Sequence, residues 1–220
     1  MKFIEECKVV IDKLDDFSFQ FIKKEIQDFQ NEISPAEDKK SHDQVFAFQQ
    51  RVVGDLQYFE LSKTEHIVKK KVLDLINVHE NKFRMFDQVF NFMAPVETPK
   101  LEFERIWINA QRQGEFIPLH QHSGIYSFVI WVQMPYTIDE QRTKCMNPIL
   151  VKERTALFEF VFINSLGKLQ NFRIPVDKSY EGYIAVFPAE LNHQVYPFYG
   201  SDELRISISG NIRLSKDSFL

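Results

Sequence analysis

LRISISG, residues 204–210, alternates aliphatic and polar side chains with a period of two. Successive side chains of a strand point to opposite faces, so Arg205, Ser207 and Ser209 share one face and Leu204, Ile206 and Ile208 the other. An ordinary surface strand explains this pattern, with the polar residues in water. The inner wall of a ligand-holding barrel explains it too, with helices covering the aliphatic face. Arginine offers a planar fork that pairs bidentately with a carboxylate, and a hydroxyl two residues on can donate to the same oxygens.

Similar segments surround this one. FERIWINA, IYSFVIWVQM, LFEFVFI, LQNFRIPV and GYIAVFPA are rich in β-branched and aromatic residues, and turn signals such as Asn164-Ser165-Leu166-Gly167 and Gly200-Ser201-Asp202 separate them. Six short strands at this spacing predict a sandwich or barrel. Upstream the periodicity is helical. Phe19, Ile22, Ile26 and Phe29 recur at three- and four-residue spacing, as do Val68, Val72, Leu75, Ile76 and His79. RVVGDLQYFELS reads as one strand between these helices, with Gly54 at a turn or bulge, and Lys69-Lys70-Lys71 reads as a solvated helix face. The proline-containing MAPVETPK divides a helical support region, 1–98, from a β core, 99–220, within one integrated domain.

Bulk properties narrow the function classes. A net charge of −4 argues mildly against nucleic acid as a partner, although a mildly acidic whole can still contain a local basic groove. Cys7 and Cys145 lie far apart without C-x-x-C spacing, which fits a reducing cytoplasm better than a disulfide framework, and Cys145 in its polar loop reads as incidental. The N-terminus lacks the apolar core of a signal peptide, and no apolar run reaches the ~20 residues that span a membrane. G-x-S-x-G, P-loop, G-x-G-x-x-G and H-E-x-x-H motifs are missing from the sequence.

Three of the six histidines suggest a metal site. His120 and His122 in PLHQHSG are two apart, so at a strand end both imidazoles point the same way. His193 follows about 70 residues later, between a strand ending at Pro188 and another starting near His193. Neutral imidazole suits iron, zinc and copper. Surface histidines produce the same spacing. His42, His66 and His79 have no partner pattern and read as surface or helix residues. Asn109 and Gln111 either hydrogen-bond a ligand or face water. Tyr126 lines a pocket if the pleat continues past His122, and otherwise packs in the core, as expected for Phe128.

The order H-x-H, a distal histidine, then Arg205-x-Ser207 resembles the iron(II)/2-oxoglutarate oxygenase superfamily, which carries H-x-D/E…H…R-x-S on a double-stranded β-helix. WINAQRQGEFIPLHQHSGIYSFVIWVQMP and FPAELNHQVYPFYGSDELRISISGNI are similar to oxygenases encoded by marine bacteriophages, over roughly residues 45–213. The resemblance implies a jelly-roll, cupin-like barrel buttressed by helices. It further implies Fe(II) on His120, His122 and His193, and 2-oxoglutarate on Arg205 helped by Ser207, with Asn109 and Tyr126 as further cofactor contacts. Dioxygen and an unknown substrate, a small molecule or a protein side chain, complete the reaction, which yields succinate, in the host cytoplasm if the gene is a phage's. His122 stands where the family has Asp or Glu. Three-histidine sites also occur in thiol dioxygenases, which use no 2-oxoglutarate, and jelly rolls also serve as non-catalytic interaction proteins in phage assembly.

Overall fold

The computed structural model describes residues 1–33, 57–90, 100–144 and 153–215. Two antiparallel sheets face each other. The larger has seven strands, β1 (Lys2–Ile4), β2 (Val9–Lys13), β3 (Gln57–Glu60), β4 (Leu101–Gln111), β6 (Tyr126–Gln133), β9 (Tyr183–Pro188) and β11 (Arg205–Leu214), in the spatial order β1-β2-β9-β6-β11-β4-β3. The smaller has four, β5 (Ile117–His120), β7 (Phe158–Ile163), β8 (Leu169–Ile174) and β10 (Asn192–Val195), in the order β5-β10-β7-β8. All six strands expected after residue 100 form. The architecture is the anticipated jelly roll on helices, but among the described residues the two sheets stay separate and no hydrogen-bonded ring closes them into a barrel.

Period-two patterning sorts the side chains of the large sheet. One face presents Ile106, Ile108, Tyr126, Phe128, Ile130, Ile184, Ile206 and Ile208 to helices α1 (Asp16–Ile33) and α2 (Glu65–Phe83), which answer with Ile22, Ile26, Val68, Val72, Leu75 and Ile76. The expected cover of the aliphatic face of 204–210 by N-terminal helices is therefore observed. The side chain of Phe29, Gly54 and the 95–99 connector lie outside the described residues. Lys70 is exposed, whereas Lys71 reaches Asp12 at 2.6 Å, so the lysine run is only partly solvated.

The 1–98 region also contributes strands. β1 and β2 extend one edge of the large sheet and β3 the other, and the sequence reading called only β3. The two helices are fixed to each other by Glu25, whose carboxylate on α1 accepts from the backbone N–H groups of Ser62, Lys63 and Thr64 at 2.7–3.0 Å just before α2. An anion there satisfies amides a helix start leaves open. Burial works to raise the Glu25 pKa, but the Thr64 hydroxyl and these amides hold it below the ordinary carboxylate value.

Between the sheets, one end is solid. Val9, Ile11, Val129, Trp131, Phe158, Phe160 and Phe187 form a second core there. The other end opens into a cavity.

Candidate metal centre

The three histidines meet at the wall of this cavity. Antiparallel pairing of β5 with β10 sets His120 directly opposite His193. His122 follows in the loop after β5, where its N–H donates to the Ala189 carbonyl at 2.9 Å. Ring centroids lie 4.9 Å apart for His120–His122, 4.2 Å for His120–His193 and 5.1 Å for His122–His193. One nitrogen of each falls within 4.8 Å of those of the other two. Among the described residues this is the cluster able to hold a metal ion.

Local hydrogen bonds choose the donor atoms. His120 Nδ1 lies 2.8 Å from the Pro118 carbonyl, and His193 Nδ1 2.8 Å from the Leu191 carbonyl, each two residues back. A carbonyl only accepts, so each Nδ1 carries the proton and each Nε2 keeps its lone pair for a metal. Burial also keeps the rings neutral. It depresses His193 well below its usual value, with nearby His120 adding to the effect, and burial beside His120 takes His122 down to about 4. Burial lowers His120 too, against its backbone hydrogen bonds. The set offers three uncharged donors close together, and a metal held by them would keep further positions for small ligands.

The cavity, about 570 Å³, runs from these histidines along the inner face of the large sheet, within the range of small-molecule sites. Register lays out the wall in cross-strand rows. Arg205 faces Gln111, and then come Trp131–Ser207–Asn109, Val129–Ser209–Trp107 and Ser127–Asn211–Arg105. Trp107 is 5.9 Å from His122, ring to ring. Asn109 is buried; its Nδ2 donates to Ser209 Oγ at 3.0 Å and to Ser207 Oγ at 3.3 Å, while Trp107 Nε1 donates to its Oδ1 at 2.9 Å. Arg205, Ser207 and Asn109 thus line the same cavity as the histidines.

Arg205 closes the inner end. It is 4% exposed, and its Nε donates to Gln111 Oε1 at 3.0 Å. Its Nη1 donates to the Tyr196 carbonyl at 2.9 Å and to the Tyr136 hydroxyl at 3.2 Å, and the guanidinium lies 5.0 Å over the Phe198 ring. All these partners are neutral. Arg205 Nη2 and Gln111 Nε2 are buried donors without a partner. A buried cation with unspent N–H groups is costly unless an anion joins it. A dicarboxylate fits this end, and the imidazole trio fits a divalent transition metal.

Tyr126 is the correction. Its side chain is fully buried on the helix side of the large sheet, with its hydroxyl 3.0 Å from His79 Nδ1 and against the Glu80 carboxylate. The pleat does not continue from His122, because the chain leaves the small sheet after β5 and joins the large one at β6. Gly124 makes the crossing at φ +99°, where a Cβ would sit 2.6 Å from the Ile212 carbonyl oxygen. Tyr136 and Phe198 are site residues that the sequence reading missed. Both lie in irregular segments without periodicity, and only tertiary contact brings them to Arg205.

Residues 105–211 match the family described as "Putative 2OG-Fe(II) oxygenase". No curated protein matches the chain. Similar solved structures include a Pseudomonas putida prolyl-4-hydroxylase (TM-score 0.53, 13% identity, covering 95% of this chain and 94% of that one). The viral collagen prolyl hydroxylase of Paramecium Bursaria Chlorella virus-1, solved with 2OG, is also similar (TM-score 0.52, 10% identity, 96% and 98% covered). A third is the non-heme alpha ketoglutarate dependent epimerase SnoN from nogalamycin biosynthesis (TM-score 0.50, 10% identity, 95% and 77% covered). At these identities the structures speak for the shared fold, and the family match together with the histidine trio speaks for the chemistry. Residues 105–211, just under half of the chain, match the 2OG-Fe(II) oxygenases, and this match together with the histidine trio marks an oxidoreductase that uses Fe(II) and 2-oxoglutarate.

Proposed function

We propose that the protein is a hydroxylase in which His120, His122 and His193 hold Fe(II), and Arg205 holds the distal carboxylate of 2-oxoglutarate. The observation that carries this assignment is the Arg205 guanidinium, buried among neutral partners with Nη2 unspent, in the same cavity as three clustered imidazoles, two of which bond backbone carbonyls through Nδ1. With Fe(II) bound, 2-oxoglutarate and dioxygen yield succinate and carbon dioxide, and the second oxygen atom enters a substrate C–H bond.

The chain's own residues do the positioning. Arg205 Nη2 and Gln111 Nε2 donate to the distal carboxylate, and the Ser207 hydroxyl, already accepting from Asn109, turns its proton toward the same group. Tyr136 and the Tyr196 carbonyl fix the guanidinium so that the fork does not rotate. Trp107, Val129 and Trp131 line the middle of the cavity and exclude water from the reacting centre. The neutral histidines need lose no proton to bind metal at pH 7.

Anaerobic titration tests the proposal. Fe(II) and 2-oxoglutarate together are expected to give a weak visible charge-transfer band that neither gives alone. Iron binding with no response to 2-oxoglutarate would transfer the site to the thiol-dioxygenase pattern of three histidines, and removal of the assignment follows if neither ligand binds.

A further inference from the structure

One short strand serves both halves of the site. β10 runs only from Asn192 to Val195, between β5 and β7. His193 lies on it, and Tyr196, one residue past its end, offers its backbone carbonyl to Arg205 Nη1 at 2.9 Å. The inward side chains of this segment, His193 and Val195, line the cavity. The alternate ones, Gln194 and Tyr196, point to the outer face of the small sheet.

Both of these outward side chains end on a single carboxylate. Glu159 of β7 stands opposite Gln194 on one side and opposite Arg173 of β8 on the other. Phe158 and Phe160 flank it in the core between the sheets, so Glu159 points outward, yet it is 2% exposed. Its Oε2 accepts from the Tyr196 hydroxyl at 2.7 Å and from Gln194 Nε2, and its Oε1 from Arg173 Nε at 2.8 Å. Gln194 Nε2 also donates to the Tyr196 hydroxyl at 2.9 Å. Burial works to raise the Glu159 pKa, but Arg173, Tyr196 and Gln194 hold it below the ordinary carboxylate value. Buried ion pairs are often replaceable by apolar side chains without loss of stability. What the carboxylate adds is direction, because donors from two strands converge on its two oxygens.

Resting on the proposed function, we infer that Glu159 is a positioning residue for the reaction, gripping Gln194 and Tyr196 from outside so that the Tyr196 carbonyl keeps Arg205 aimed at 2-oxoglutarate. Glu159 itself lies on the far face of the small sheet and touches neither metal nor co-substrate. Without its grip the end of β10 gains slack, and the carbonyl that restrains the guanidinium moves with it. His193 is held separately, by pairing with His120 on one side and Phe160 on the other. The effect therefore falls on 2-oxoglutarate more than on iron.

Anaerobic Fe(II) and 2-oxoglutarate titrations of the full chain, run beside thermal unfolding, test this. Glu159→Ala and Tyr196→Phe should each weaken 2-oxoglutarate binding by roughly tenfold, with a smaller change in iron affinity. Glu159→Gln keeps an oxygen for the Tyr196 hydroxyl and should recover most of that loss. Tyr126→Phe, which lowers stability from the helix side of the large sheet, should keep 2-oxoglutarate affinity within about twofold. Should Glu159→Ala fail to fold, Tyr196→Phe and Glu159→Gln carry the test. Unaltered affinity in Tyr196→Phe, or losses that follow melting temperature alike in every variant, overturns the inference alone. A parent protein that does not respond to 2-oxoglutarate overturns the oxygenase assignment and this inference with it.

Discussion

Two buried polar clusters lie back to back across the large sheet, and they differ in how completely their hydrogen bonds are used. On the helix side, His79 engages both ring nitrogens, Nε2 with the Lys8 carbonyl at 2.7 Å and Nδ1 with the Tyr126 hydroxyl at 3.0 Å, while Glu80 meets the same hydroxyl and accepts from Phe86 N–H at 3.0 Å. On the cavity side, His120 and His193 each meet a backbone carbonyl through Nδ1, and Arg205 keeps Nη2 unspent. Both clusters are enclosed, so burial does not separate structural polar groups from functional ones. What separates them is the satisfied set on one side and the spare donors and lone pairs on the other. The first ties α2 to β6, and the second waits for a ligand.

The sharpest way to break this comparison is at Arg205. Arg205→Ala should weaken 2-oxoglutarate binding by roughly a hundredfold or more, since removing one partner of a desolvated charge pair costs about 3–5 kcal/mol. Iron content, measured by elemental analysis, should remain near that of the parent. Unchanged succinate formation at low 2-oxoglutarate would detach Arg205 from the role assigned to it.

A smaller effect comes from His79. Burial, the largest cause, lowers its pKa from 6.5 to about 4 in the folded protein. Between those values the unfolded chain binds a proton that the folded chain refuses. The His79 contribution is therefore whole above pH 6.5 and is lost as pH falls toward 4, by up to about 3 kcal/mol. Denaturant titrations at several pH values should show His79→Gln with a shallower loss over this window than the parent. Equal slopes would show that His79 is not held neutral by the fold.

The smallest change belongs to Tyr126→Phe, which removes one hydroxyl from the satisfied cluster. It should cost about 1–3 kcal/mol of unfolding free energy while leaving 2-oxoglutarate affinity, read by the anaerobic titration, unaltered. A marked fall in that affinity would restore Tyr126 to the cavity and dissolve the contrast between the two faces.

Which residues were legible in advance follows from how local their signals are. Arg205, Ser207 and Ser209 share a face by simple alternation, and that alternation survives in β11. His120 and His193 were found by residue type, and strand register then proved to set them opposite each other. Tyr126 was misplaced because the same alternation was extended across Gly124, where the chain changes sheets. On β4 the register passes from Asn211 opposite Arg105 to Ile212 opposite Phe103, which makes Glu104 an extra residue; this bulge leaves no mark in FERIWINA, since an extra residue shows only against a partner strand. Glu159 was likewise hidden within the apolar LFEFVFI. It is buried on β7 and pairs at 2.8 Å with Arg173, its register neighbour on β8, and the hydroxyl of Tyr196 donates to it at 2.7 Å. β1 and β2 are short and flanked by charges, and their place at the sheet edge comes from contact with β9 rather than from their own pattern.

The four-residue strand β5 is the rim of the small sheet, hydrogen-bonded on one side only, and its Leu119 stands half in water. Such a border is where a sheet frays first and where foreign chains attach. Because His120 sits on this strand opposite His193, an ion shared by the two would rivet the border to its neighbour. Metal loading and the integrity of that rim are then coupled by mass action, and iron starvation would loosen the sheet at the same stroke as it silences the enzyme.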